Sequence, residues 1–207
     1  MFTTYALRTT DVPGARRFYA EALGLDLPLG GAVPEPLAAW PLHERAIARG
    51  APPHWLGRIA VDDVAATVDR LQAHGAELLG PVVTAQDGVD VALLRDPLGA
   101  LFGLRRRDDV GSWPMARHQL HTSAVARARA FYAEAFGWTG AGGGVSEAGP
   151  GVHVHWLFFF PVPDVDAALA AIAAHGGNAL PPVTLPDGTR LAAAEDPQGA
   201  AFGVAGA

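Results

Sequence analysis

The stretch HWLGRIAVDDVAATVDRLQAHG at residues 54–75 is written a second time as HWLFFFPVPDVDAALAAIAAHG at 155–176. His54 maps onto His155 and His74 onto His175 at one offset, 155 − 54 = 101. After a one-residue deletion, DPLGALFGL at 96–104 is matched by DPQGAAFGV at 196–204, offset 100. The block opens on an apolar run of strand length, 54–61, and passes at Asp62-Asp63 into Val64, Ala65, Val68 and Leu71 at helical spacing. Gly75 stands where a helix ends. The Asp-Pro-x-Gly turn between two apolar runs then predicts a hairpin. Strand, capped helix and hairpin each occur twice, so the chain is a duplication.

The rest of the chain follows from this block. FTTYALRT at 2–9 reads as a strand. Thr10 or Asp11 can cap a helix whose first turn suits Pro13 and whose apolar face is Ala15, Phe18, Tyr19, Ala22 and Leu23. FYAEALGL at 18–25 is echoed by FYAEAFGW at 131–138, offset 113, inside a second helix expected over 125–136. Gly30-Gly31, Pro34 and Pro36 break the run from 25 to 40 into short strands and turns, and 41–50 suits a short extra helix. The counterpart run GAGGGVSEAGPG at 140–151 is shorter, and its glycines predict turns that are mobile or ordered by a ligand. Strands fit 77–84, 89–95 and 100–107, then 117–123 and 153–160, a helix 164–175, and strands near 178–184, 189–195 and 200–205. The predicted fold is α+β: two tandem domains, 1–107 and 115–207, joined by a linker at 108–114. Each domain has two βαβββ modules forming a curved mixed sheet around a cleft.

At 207 residues the chain has room for two cores of the usual size. Hydrophobic residues are 50% and charged residues 17%, which excludes a disordered chain. A net charge of −6 argues against a nucleic-acid or membrane surface. No cysteine is present, so disulfides, zinc–thiolate sites and thiol catalysis are excluded. No run approaches the ~20 apolar residues that span a bilayer, and the N-terminus lacks the pattern of a signal peptide, so a cytoplasmic location is expected. All 15 basic residues are Arg, a forked donor suited to planar anions and carbonyls.

Phe18-Tyr19 and Phe131-Tyr132, Val61-Asp62-Asp63-Val64 and Val162-Pro163-Asp164-Val165, and the DPLGALFGL and DPQGAAFGV endings together resemble the vicinal oxygen chelate superfamily. That superfamily includes glyoxalase I, extradiol dioxygenases and bleomycin-resistance proteins. The resemblance covers nearly the whole chain and is greatest to tandem two-domain, glyoxalase-like members typical of actinobacteria. It implies the fold, but not one activity, because the superfamily spans isomerases, dioxygenases, thiol transferases and binding proteins. The tandem order also lets one chain assemble internally what other members build as a dimer.

The resemblance further implies four ligands per metal site, usually His, Glu or Gln, from fixed strand positions. Counted from the helix motifs, those positions fall on Thr4 and Arg117, on Leu56 and Leu157, and on Gly103 and Gly203. The remaining position lies in 33–50 and 140–151, where the register is open. Hydroxyl, guanidinium, aliphatic and glycine groups are poor ligands or none, so no metal and no cofactor is expected.

Residues two apart on a strand share a face. The cavity face should therefore carry Thr4, Ala6 and Arg8; His54, Leu56 and Arg58; and Leu101, Gly103 and Arg105. In the second half it should carry Arg117, Gln119 and His121; His153, His155, Leu157 and Phe159; and Ala201, Gly203 and Ala205. Gly103 and Gly203 should leave room for a ligand. The ligand-binding candidates are Arg8, Trp40, His54, Arg58, Gln119, His121, Trp138, His155 and Phe159. Arg8 and Arg58 suit a carboxylate, phosphate or enediol-like oxygen, or reach solvent or an ion pair. Trp40 and Trp138 suit stacking on a flat ligand, or core packing. His121, His153 and His155 share a face as a proton shuttle, a relocated metal site or a hydrogen-bonding group, or His153 sits in a loop and His155 merely starts a strand. His74 and His175 read as helix C-terminal caps, and Arg105-Arg106-Arg107 with Asp108-Asp109 as a solvated strand end. The functional expectation is a small-molecule-binding protein, sequestering an antibiotic or metabolite, monomeric or homodimeric, with no nucleic-acid or membrane partner. The alternatives are a glyoxalase-like lyase or isomerase, or a dioxygenase-like enzyme, on non-standard ligands such as His121, His153, His155 or Glu147, and an accessory protein with degenerate clefts.

Overall fold

The computed structural model describes residues 1–31, 35–107, 111–138, 144–149 and 151–206. The first half runs β1 (Phe2–Thr9), α1 (Val12–Leu23), β2 (Leu37–Pro41), α2 (Glu44–Ala48), β3 (His54–Val61), α3 (Val64–Ala73), β4 (Glu77–Leu78), β5 (Val83–Thr84), β6 (Asp90–Arg95) and β7 (Leu101–Arg106). The second runs β8 (Arg117–Thr122), α4 (Val125–Phe136), β9 (Gly144–Glu147), β10 (His155–Pro161), α5 (Val165–Ala174), β11 (Asn178–Ala179), β12 (Val183–Thr184), β13 (Arg190–Glu195) and β14 (Ala201–Gly206). No helix among the described residues is long and apolar enough to cross a membrane.

Local chemistry sets the helix ends. Asp11 accepts the Gly14 N–H at 3.0 Å and Gly24 closes α1 in the left-handed region. Asp63 and Asp164 cap α3 and α5 in the same way. Ala124 has no side-chain acceptor, so α4 starts without such a cap. The strands expected over 77–84 and 178–184 each break into two short pieces, on either side of Gly80-Pro81 and of Pro181-Pro182, because proline donates nothing to a ladder. The Gly-rich run expected as turns instead contains the edge strand β9, parallel to β8. Residues 140–143 and 150 of that run and 108–110 of the expected linker lie outside the described residues.

Both halves build the same sheet. The orders are β2-β1-β3-β7-β6-β4 and β9-β8-β10-β14-β13-β11, with β5 and β12 added on β6 and β13. The central pairs β1–β3 and β8–β10 are antiparallel; β3–β7 and β10–β14 are parallel. The architecture is α+β, with two curved mixed sheets.

The apolar faces of the two sheets form one shared core. Trp55 of β3 meets Phe160 of β10 with ring centroids 5.2 Å apart, and Phe2 of β1 meets Trp156 at 5.0 Å and Phe158 at 5.2 Å. Helix α1 packs on α5 and sets Phe18 and Tyr19 against Phe202 of the second sheet. Reciprocally, Tyr132 and Phe136 of α4 lie against Phe102 of the first. Each half thus lends its first helix to the other's sheet. The other face of each sheet lies opposite this shared core, and that of the second sheet holds a small apolar cluster of its own, Leu157, Phe159 and Ala205.

Candidate functional site

The strand pairing defines the two outward faces. In the first sheet Thr4 pairs with Arg58, Ala6 with Leu56 and Arg8 with His54, while Arg8 also pairs with Trp40 and Arg58 with Gly103. In the second, Arg117 pairs with Phe159, Gln119 with Leu157 and His121 with His155. Phe159 also pairs with Gly203, and His121 with Ser146. The strand period therefore puts Arg8, Trp40, His54 and Arg58 together on one face, and Gln119, His121, His155 and Phe159 together on the other.

On the first face, the Arg8 guanidinium lies 5.1 Å from the Trp40 ring centroid. Trp40 also rests against Gly30, so its ring positions Arg8. Arg58 lays its stem across Gly103, where a Cβ would come 2.8 Å from Arg58 Cγ. Arg105 is buried and its Nη1 donates to Asp87 Oδ2 at 2.8 Å, which corrects the solvated strand end expected there. Arg106 and Arg107 are exposed as expected. Burial lowers the Arg8 pKa; burial, then repulsion by Arg8 and Arg105, brings Arg58 down to about 10, with Asp87 opposing. Both remain cations at neutral pH. His54 is held below the usual histidine range by burial and by Arg8, while Pro52 O, 2.9 Å from its Nδ1, opposes the shift.

The second face is less charged. Arg117 Nε donates to Gln119 Oε1 at 2.9 Å. The His121 and His155 rings stack at 5.2 Å with an interplanar angle of 17°, and His153 lies 4.9 Å from His155. Ser146 Oγ is 3.2 Å from His121 Nδ1, and His121 Nε2 is buried with no hydrogen-bond partner among the described residues. Burial lowers the pKa of both His121 and His155. No group of three or more His, Asp or Glu among the described residues is placed to hold a metal. Glu147 closes β9.

Two placements differ from expectation. Trp138 is turned inward after Gly137 and stacks on Tyr132 at 5.3 Å and 10°, beside Phe2 and Trp156, so it belongs to the core between the halves. The room left by Gly103 and Gly203 is taken up within the chain, by the Arg58 stem and the Phe159 ring. Gly203 is needed because any Cβ would overlap Phe159.

The repeated motifs have a different task, which sequence reasoning missed. Trp55 Nε1 donates to Tyr19 Oη at 2.8 Å, and Tyr19 donates across the halves to Asp196 Oδ2 at 3.3 Å. Trp156 Nε1 donates to Tyr132 Oη at 2.9 Å, and Tyr132 donates to Asp96 Oδ2 at 2.9 Å. The other Asp96 oxygen accepts the Leu98, Gly99 and Ala100 N–H groups of its own turn. His74 accordingly caps α3 through the Arg70 carbonyl but also meets Glu134, 2.9 Å away, as His175 meets Glu21 at 3.1 Å. Their pairing in the repeat was the available signal: FYAEA, H-G and D-P-x-G recur as a set.

A model of the Glyoxalase/Bleomycin resistance protein/Dioxygenase superfamily matches residues 2–104. Two curated relatives, both named "Putative glyoxylase CFP32", from Mycobacterium bovis and Mycobacterium tuberculosis, are each 31% identical over 96% of this chain and 91% of their own length. Among solved structures, the Mn(II)-bound glyoxalase from Novosphingobium aromaticivorans shares the fold with a TM-score of 0.66 at 14% identity, over 99% of this chain and 81% of that one. The 2,2',3-trihydroxybiphenyl 1,2-dioxygenase from Sphingomonas wittichii does so with a TM-score of 0.67 at 13% identity, over 100% and 89%.

Proposed function

Since the chain belongs to the glyoxalase/bleomycin resistance protein/dioxygenase superfamily, we propose that it uses that scaffold as a metal-independent small-molecule-binding protein. One observation carries the reading. The face positions where the superfamily resemblance calls for metal ligands hold Thr4, Leu56 and Gly103 in one half and Arg117, Leu157 and Gly203 in the other. Only the Thr4 hydroxyl is an oxygen donor, and a neutral hydroxyl alone does not retain a divalent ion. These six positions offer no donor set that fits a metal.

The second reading is a glyoxalase-like lyase or isomerase on non-standard ligands. The name of the mycobacterial relatives favours it, as does the unpartnered His121 Nε2.

Thermal unfolding with a panel of small organic molecules, in EDTA and again with Mn, Ni, Zn or Fe, separates the two. Binding at a hundredfold over Kd stabilises by roughly 2.7 kcal/mol, which is roughly 5 to 10 °C in Tm for a chain of this size. The expected result is a ligand that raises Tm in EDTA. Ligands effective only in the metal-loaded protein would overturn the reading.

A further inference from the structure

We infer that the outer face of the first sheet is an anion site that takes an organic carboxylate, received by Arg58 and Arg8. The inference rests on the binding reading above and names the ligand class for one of its two faces.

Arg8 and Arg58 sit on adjacent strands of one face, and among the described residues neither side chain has a hydrogen-bond or ion-pair partner. The acid that acts on Arg58, Asp87, is bound to Arg105. Arg8 and Arg105 both repel Arg58. Such an excess of half-buried positive charge is costly without a counter-charge. Two features show that the charges are held in position. Trp40 underlies Arg8, and the bare Gly103 backbone lets Arg58 lie along the face. Thr4, the cross-strand neighbour of Arg58, keeps a buried Oγ1 that has no partner among the described residues. The floor between them is apolar, from Ala6 and Leu56, both buried. Forked donors above an apolar floor suit a carboxylate on a hydrocarbon body and reject a cation.

The repeat supplies an internal control. The counterpart of Arg58 is Phe159 and that of Arg105 is Ala205, while Arg8 becomes His121, whose pKa burial lowers. The remaining cation, Arg117, is bonded to Gln119. The second face lacks the charge that defines the first, so one such site per chain follows.

The test compares 2-naphthoate with the neutral 2-naphthamide by calorimetry and by NMR of the Arg side chains. It uses the wild-type chain, Arg58→Met, Arg8→Met and, as a control, the exposed Arg95→Met. The expected result is that naphthoate binds and shifts the Arg58 Nε–H signal, while the amide and Arg58→Met each lose about tenfold or more in affinity. Added salt weakens binding, and Arg95→Met binds as wild type. Arg58→Met stays folded with an equal or higher Tm, because it removes a repelled cation. Equal affinity for acid and amide, or full affinity in Arg58→Met, overturns the anion assignment while leaving small-molecule binding intact. Failure of naphthoate to bind at millimolar concentration also overturns it. Binding of either probe only after metal loading would overturn the underlying reading as well.

Discussion

Tyr132 joins two buried groups from different halves of the chain. Its hydroxyl accepts from Trp156 Nε1 at 2.9 Å and donates to Asp96 Oδ2 at 2.9 Å. Removing it leaves an indole N–H and a carboxylate oxygen buried without that partner, a loss of about 1–3 kcal/mol. Tyr19 is its counterpart, but its bond to Asp196 is longer, 3.3 Å. Tyr132→Phe should therefore lower stability more than Tyr19→Phe, as measured by the urea midpoint at constant m-value. Equal losses would mean that the two links are equivalent and that the distances carry no energetic weight. Arg58 is the opposite case, a charge whose surroundings raise its cost. That asymmetry between satisfied and unsatisfied residues separates the structural motifs from the candidate site.

At the scale of elements, the apolar periodicity and the caps determined most of the fold. β1, β3, α3 and α4 fall within a residue or two of their expected bounds, because each has an unambiguous period and a recognisable start or stop. The short pieces did not, since β4, β5, β11 and β12 span two residues each and depend on a neighbouring strand more than on their own pattern. β9 was missed for the same reason, since residues 144–147 of the Gly-rich run take their strand form from pairing with β8. Strand alternation grouped Arg8, His54 and Arg58 on one face and Gln119, His121, His155 and Phe159 on another, and the strand pairing has the same grouping. It could not place Trp138, which follows a left-handed glycine and so points where the turn sends it. Nor could it show that Gly103 and Gly203 accommodate Arg58 and Phe159, since that depends on rotamers across a ladder. The cross-half bonds were hidden because the repeat shows which residues recur, not which copy each one faces.

The whole molecule is a quasi-twofold pair of sheets that share a core and expose two unlike faces. Its core includes a Tyr5–His118 hydrogen bond of 2.5 Å linking the halves. Burial, with the nearby N-terminal charge, lowers the His118 pKa from 6.5 to about 4. The unfolded chain then binds the extra proton between those values, so stability rises with pH across that window. It is lost as pH falls from about 6.5 toward 4, on the order of 3 kcal/mol in all. An NMR titration should find the His118 ring neutral down to about pH 5, where only about a tenth is protonated if its pKa is near 4; a midpoint near 6.5 would contradict its burial. The larger question is whether this scaffold acts with or without a metal. The most direct measurement is the metal content of the chain purified without a histidine tag, by mass spectrometry against protein concentration. Metal far below one ion per chain with ligand binding retained is the expected result, whereas one equivalent of Mn, Fe, Ni or Zn per chain would contradict a metal-independent role.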